Sequence, residues 1–202
     1  QLHIDELRDE NVGLKRSLNF VDSKRLENQH LIAARVVDRQ SGSWWKTIII
    51  DKGIEDGVVE DSPVITPVEV DRTDNVEGAL VGKVTNVSEG QSMVVLATDP
   101  ECRVAARVHG VFAETSAGGL QRVQGILSGS PGAGTKVPHL LLRNLPKEAD
   151  RYGVKAGAKV YSTGIITEES EGVFPPGLLL GRIKEFEVRD IDAEARVSPA
   201  LD

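Results

Sequence analysis

Aromatic residues are scarce in this chain, at 4% of 202 residues, although 40% of the residues are hydrophobic. The interior must therefore be built mainly from Val, Ile, Leu and Ala, which suits thin β-layers. The chain has a single cysteine, Cys102, so it cannot form an internal disulfide. Because cysteine is among the residues most often buried, we interpret Cys102 as a core residue and not as a reactive thiol.

The chain also lacks an excess of positive charge and any long apolar run. Its net charge is −7, which argues against nucleic acid and anionic lipid as partners. No segment approaches the ~20 apolar residues of a membrane span, and no signal peptide is visible. Since the chain starts at Gln1 without a Met and its first residues already have a helical pattern, we expect a piece of a longer protein. An anchor before Gln1 stays an open alternative at this point.

The first 28 residues carry a seven-residue hydrophobic repeat. Its a and d positions are Ile4, Leu7, Asn11, Leu14, Leu18 and Val21. This narrow stripe predicts a coiled-coil helix over residues 1–31, with those six side chains at the interface of a homodimer. A lone Asn at an a position favours a parallel, in-register pair, so Asn11 supports this interpretation. The alternative is an amphipathic helix packed on its own domain.

After residue 31 the pattern changes to short apolar runs between Gly and Pro turns. We predict strands at residues 32–37, 46–51, 64–70, 80–87, 93–98, 103–108, 125–128, 140–142, 159–163 and 178–188. Many short strands without a long helical pattern predict a mainly β architecture.

Two motifs recur in the same order at nearly the same offset. Gly57-Val58 and residues 64–66 align with Gly153-Val154 and residues 160–162, while residues 78–84 align with residues 177–183. We therefore predict two related small β-barrel domains, residues 32–116 and 117–202. In a strand, the residues of the repeated Gly-x-Leu-x-Gly motif share one face, where glycines permit sharp bending or close strand approach. A binding groove lined by these glycines is the alternative.

Few residues suggest catalysis or metal binding. The histidines His3, His30, His109 and His139 are not spaced as metal ligands, and no cofactor is predicted. Residues 129–136 differ from a phosphate-binding loop because Thr135 precedes Lys136, the reverse of the required order.

A serine hydrolase is a minor alternative. Ser128 and Ser130 lie beside glycines in a chain with two predicted barrels, as in trypsin-like enzymes. Asp99 and His109 are the candidate partners, but the order Asp, His, Ser is not that of the family, and its Gly-Asp-Ser-Gly-Gly signature is absent. We therefore predict that the protein is not an enzyme.

The order of several motifs is specific as a combination. They are ENQ at 27–29, AARV at 33–36, WKTIIIDKG at 45–53, DGV at 56–58, PVI at 63–65, LVGKV at 80–84, VVL at 94–96, TDP at 98–100, GILSG at 125–129 and FPPG at 174–177 with Gly181. From residue 24 to the end the chain closely resembles MreC, the family of bacterial rod shape-determining proteins. The resemblance marks as structural motif residues Gly78, Leu80, Gly82, Phe174, Pro175, Gly177 and Gly181.

This resemblance implies a setting that the residues alone do not. MreC proteins are anchored by one membrane span on the periplasmic or extracellular face of the cytoplasmic membrane, with a coiled coil and two β-barrels. They are non-catalytic scaffolds of the cell-wall elongation machinery, and they dimerise and can polymerise into filaments. Their partners are an elongation-specific class B penicillin-binding protein, MreD, RodA and MreB.

Two points set this chain apart or leave an alternative open. Residues 68–77 are longer than the usual turn of the family, which predicts an inserted hairpin or loop. A membrane-fusion adaptor of an efflux or secretion system also joins a coiled coil to β-domains, but there the helix returns as a hairpin. Here nothing returns, so we favour the scaffold.

Overall fold

The computed structural model describes residues 31–39, 46–69, 76–114, 119–130, 139–167 and 174–201. The predicted coiled-coil helix and its six interface residues lie outside these ranges. Among the described residues, no helix is long and apolar enough to cross a membrane.

The described chain is mainly β, as predicted. Its strands are β1 (Val36–Asp38), β2 (Thr47–Ile50), β3 (Pro63–Glu69), β4 (Val76–Val87), β5 (Ser92–Leu96), β6 (Val104–Glu114), β7 (Leu120–Ser130), β8 (His139–Leu145), β9 (Lys159–Ser162), β10 (Leu179–Val188) and β11 (Ala193–Pro199). Each of the predicted strands overlaps one of these, whereas β11 was missed. A 3₁₀ turn, Ile54–Asp56, precedes β3.

Six strands form a closed barrel. Going round it, the order is β6, β7, β8, β11, β10 and β9, and β9 returns to β6. All six neighbouring pairs are antiparallel, which leaves no open edge in this ring. The interior is filled by aliphatic side chains such as Leu127, Leu142 and Val160, each at most 1% exposed. The scarcity of aromatics is thus matched by a core of Val, Leu and Ala.

The remaining strands form a second unit in the order β1, β2, β5, β4 and β3. It has its own small core, in which Ile48, Ile50 and Val94 are buried. The unit joins the barrel where β4 pairs with β10 in parallel, at Ala79 and Leu179. Leu80 of β4 and Val95 of β5 belong to the larger core cluster of the barrel, so apolar packing also connects the two.

Strand β6 lies before the predicted domain boundary, but both of its hydrogen-bonded partners lie after it. The sequence interpretation places residues up to 116 in the first domain, but β6 pairs with β7 and β9 in the closed barrel. Membership of a barrel is decided by which strands share hydrogen bonds, and these partners lie later in the chain.

The internal repeat is visible as a repeated arrangement of strands. The series β2, β5, β4, β3 has the same connections as the series β8, β11, β10, β9. Gly57 and Gly153 both have positive φ, at 88° and 95°, and each ends a turn before a buried valine. The repeat continues at Asp61 and Gly157, with φ of 62° and 87°.

The segment that is predicted to be an insertion lies at the end of a hairpin. Within residues 68–77, β3 and β4 are paired as far as Glu69 and Val76. Residues 70–75 lie outside the described ranges.

Candidate functional site

The repeated glycines lie where neighbouring backbones approach closely. A Cβ added to Gly82 of β4 would lie 2.0 Å from the carbonyl oxygen of Val95 on β5. A Cβ added to Gly181 of β10 would lie 2.0 Å from the carbonyl oxygen of Ser198 on β11. These two positions correspond in the internal repeat. Both glycines therefore lie against the backbone of the neighbouring strand, and they do not line an open groove.

The other motif residues also have structural contacts. Gly78 is buried opposite Pro67 of β3, and Leu80 is 4% exposed in the core. Phe174 is buried in the same core cluster.

A buried serine holds the Phe-Pro-Pro-Gly segment against β9. Ser162 is fully buried; its hydroxyl donates to the carbonyl of Pro175 and accepts a hydrogen bond of 2.9 Å from the Leu178 N–H. The Gly177 N–H donates to the Ser162 carbonyl at 3.0 Å, and Gly177 has a φ of 87°. Because a positive φ is costly for residues with a Cβ, this turn favours glycine.

A polar cluster lies at the junction of the two units. The Tyr161 hydroxyl of β9 donates to Glu77 Oε2 of β4 at 2.8 Å, and Lys159 Nζ lies 3.5 Å from Glu77 Oε1. The Glu77 and Lys159 side chains are only 12% and 18% exposed. On the other side of Tyr161, the His109 ring packs edge-on at 5.4 Å. A partly buried carboxylate is thereby satisfied by a phenol and an ammonium group.

Two carboxyl groups beside the 3₁₀ turn have perturbed acidity. The Arg35 N–H donates to Asp51, and this hydrogen bond lowers the pKa of the Asp51 carboxyl. The Lys52 ammonium donates to Asp56 at 2.7 Å and lowers the pKa of that carboxyl, while the pKa of Lys52 is raised by the same contact. The Arg35–Asp51 contact connects the residue before β1 to the residue after β2, and the Lys52–Asp56 contact holds the 3₁₀ turn, so both are structural.

The residues of the hydrolase alternative are not brought together. Ser128 of β7 lies about one residue beyond the Val104–Leu127 pair, whereas His109 lies further along β6 in the opposite direction. At ~3.3 Å per residue the two are roughly 20 Å apart. The Asp99 carboxylate accepts from the Glu101 N–H instead. No catalytic triad forms from these three residues.

The other reactive residues do not form a site in the described part of the chain. Cys102 is completely buried, as expected of a core residue. No group of three His, Cys, Asp or Glu residues that could hold a metal occurs among the described residues. His3 and His30, and most of the loop at 129–136, lie outside the described ranges.

Apolar side chains are exposed at one end of the closed barrel. Because the strands alternate in direction, the ends of β6, β8 and β10 and the starts of β7 and β11 lie at the same end, which we call the far rim. Its exposed large apolar residues are Phe112, Leu120, Val188 and Ile191. The β4 strand and the turn after β5 contact the opposite end, near Leu179 and Gly129.

A well-fastened hairpin tip forms part of the far rim. Arg189 to Asp192 join β10 to β11, with the Arg189 N–H donating to the Asp192 carbonyl at 2.8 Å. Glu194, 9% exposed, accepts from Arg189 at 3.0 Å and from Arg143 of β8 at 3.2 Å. Lys147 Nζ donates to the carbonyl of Asp190 at 3.0 Å. A cleft lies between this tip and residues 144–146.

Sequence reasoning did not single out the far rim or the junction. The sequence signal for the rim is an isoleucine between two aspartates, Asp190-Ile191-Asp192, in a turn where polar residues are usual. The junction had no local signal, because Glu77 and Tyr161 are 84 residues apart and meet only through the β4–β10 pairing.

Comparison with known proteins gives one consistent family. The family model described as "Rod shape-determining protein MreC, barrel core" matches residues 36–202. The cell shape-determining protein MreC of Listeria monocytogenes is 31% identical over 98% of this chain, which covers 58% of that relative. The chain thus spans about three fifths of the length of this curated relative.

Solved structures of the same family have the same fold. A structure of MreC from Listeria monocytogenes has a TM-score of 0.64 at 27% identity, over 99% of this chain and 85% of that one. A complex between a penicillin-binding protein (PBP2) and MreC from Helicobacter pylori aligns with a TM-score of 0.54 at 13% identity. It covers 84% of this chain and 86% of that one, and the likeness is one of fold.

Proposed function

This chain belongs to the MreC family of rod shape-determining proteins, and we propose that it is a non-catalytic scaffold that binds and regulates a peptidoglycan synthase during cell-wall elongation. The observation that supports this choice of partner is that the chain shares its fold with a protein solved in complex with PBP2. Several features of the chain support a binding role. It has two units of β-structure joined by a packed, polar junction, and it exposes apolar residues at the far rim.

The proposal includes a dimer, in which residues 1–31 pair as a parallel coiled coil. The a and d side chains of the seven-residue repeat form the seam between the two helices. The proposal also includes a single-pass anchor before Gln1 that holds the β-domains on the outer face of the cytoplasmic membrane. We further propose that the first unit is also a β-barrel and that the protein can form filaments. It would act together with MreD, RodA and MreB.

Direct binding tests the central claim. The soluble domain of the cognate class B penicillin-binding protein is immobilised, and binding of the 202-residue chain is followed by biolayer interferometry. We expect saturable binding that survives deletion of residues 1–28 at high protein concentration, because the β-domains supply the contact. A matched control is a penicillin-binding protein of the division machinery at the same density. Equal binding to both proteins, or none to either, would contradict the proposal.

A further inference from the structure

The Ile191 tip is built as a rigid apolar anchor. Its side chain is 91% exposed, although isoleucine is usually buried. The tip is held by the turn hydrogen bond, by the two arginines on Glu194 and by Lys147, as described above. Binding through a segment that is already ordered loses little conformational entropy, so such a residue can contribute strongly to affinity.

The charges beside Ile191 indicate what kind of surface it fits. Asp190 and Asp192 flank it, and neither carboxylate makes an ion pair with another residue in the described part of the chain. Of the nearby cations, Arg143 and Arg189 contact Glu194, while Lys147 contacts the backbone carbonyl of Asp190 and not its carboxylate. A pocket that received Ile191 would therefore need apolar walls and a lysine or arginine at its edge.

The rest of the far rim extends this surface. Phe112 and Leu120, 45% and 72% exposed, lie on the outer face of the β6–β7 hairpin, and Val188 precedes the tip. The first unit contacts the barrel at its opposite end, so among the described elements it leaves this rim uncovered. A second copy is disfavoured as the occupant, because the chain carries a net charge of −7 and would bring further negative charge to the two aspartates.

We infer that the far rim, with Ile191 as its anchor, is the surface through which this chain docks onto an apolar pocket bordered by basic residues on its peptidoglycan synthase. The inference rests on the proposed function and locates it on the molecule. Apolar insertion of Ile191 provides affinity, while Asp190 and Asp192 steer the basic edge of the pocket.

Substitution of the anchor tests the inference. In the interferometry assay, Ile191→Ser is expected to weaken binding at least ~10-fold, mainly through faster dissociation, while Ile191→Leu stays close to wild type. The matched control is Val59→Ser, which truncates a valine that is 64% exposed on the first unit and should leave affinity unchanged. Unchanged unfolding midpoints establish that the variants are folded, as expected for such exposed positions.

Charge removal gives an independent readout. The double variant Asp190→Asn/Asp192→Asn is expected to lower the association rate several-fold at low salt and to flatten its dependence on ionic strength. If the wild-type chain binds and Ile191→Ser binds with the same affinity, the far rim is not the docking surface, but the proposed function still holds. If the wild-type chain does not bind the synthase, the proposed function itself is contradicted. If Ile191→Ser lowers the sedimenting mass of the chain alone, the rim is a contact between copies and the inference is wrong.

Discussion

At the scale of single residues, the strongest constraints fall on positions without a side chain. Gly82 and Gly181 each have a carbonyl oxygen of the next strand where a Cβ would be. The sequence indicated close strand approach from the repeated Gly-x-Leu-x-Gly pattern. It could not identify the approaching strand, because that depends on pairing with β5 in one case and with β11 in the other.

Alanine at these glycines should be costly. We expect Gly82→Ala and Gly181→Ala each to lower the free energy of unfolding by about 2 kcal/mol or more, since relieving a 2.0 Å contact with backbone requires the strands to move apart. Urea denaturation followed by circular dichroism measures this. Gly90→Ala is the control: an added Cβ there meets no atom within 4 Å, so the change should stay within about 0.5 kcal/mol. Equal effects at Gly82 and Gly90 would refute the argument.

At the scale of elements, short apolar runs between Gly and Pro turns located most strands but missed β11. In that strand Ala193, Ala195 and Val197 belong to the core. Glu194, which lies between the two alanines in sequence, is also buried. Alanine has a low strand propensity, so the local signal is weak. The strand forms because β8 and β10 lie on either side of it and supply hydrogen bonds along its length.

The contact between β4 and β9 should couple the two units energetically. Tyr161→Phe removes a hydrogen bond to a partly buried carboxylate, and we expect a loss of about 1.5–3 kcal/mol in the free energy of unfolding. In a double-mutant cycle with Glu77→Gln, we expect a coupling energy of about 0.5 kcal/mol or more. Tyr152→Phe serves as the control, because that hydroxyl has no hydrogen-bond partner among the described residues. Strict additivity in the cycle would show that the contact does not join the units.

At the scale of the whole molecule, the repeat explains how one strand arrangement occurs twice. The β6–β7 hairpin closes the second copy into a barrel, while among the described residues the first copy carries β1 at its edge instead. The predicted boundary at residue 116 falls within that hairpin, since chain position does not show that β6 pairs with both β7 and β9.

The proposed dimer forms through residues 1–31, which lie almost entirely outside the described ranges. We expect Leu14→Asp to convert the 202-residue chain from dimer to monomer, because a carboxylate at a d position of the seam would be desolvated in the pair. Sedimentation velocity at micromolar concentration measures the mass. The control Arg16→Asp also introduces a carboxylate, but at an f position away from the seam, and should remain dimeric. A Leu14→Asp variant with unchanged mass would exclude the helix as the dimer interface.

The sequence by itself determined the mainly β class, most strand positions, the internal repeat and the family, because alternating hydrophobicity, turn residues and motif order are local properties of the chain. Only the tertiary structure decided which strands close the barrel, which backbones the glycines allow to approach, that Tyr161 meets Glu77, and that Ile191 and Phe112 share one rim. These depend on pairing between residues far apart in the chain. One strand pattern is compatible with several sets of partners, and the packing of the complete core selects among them.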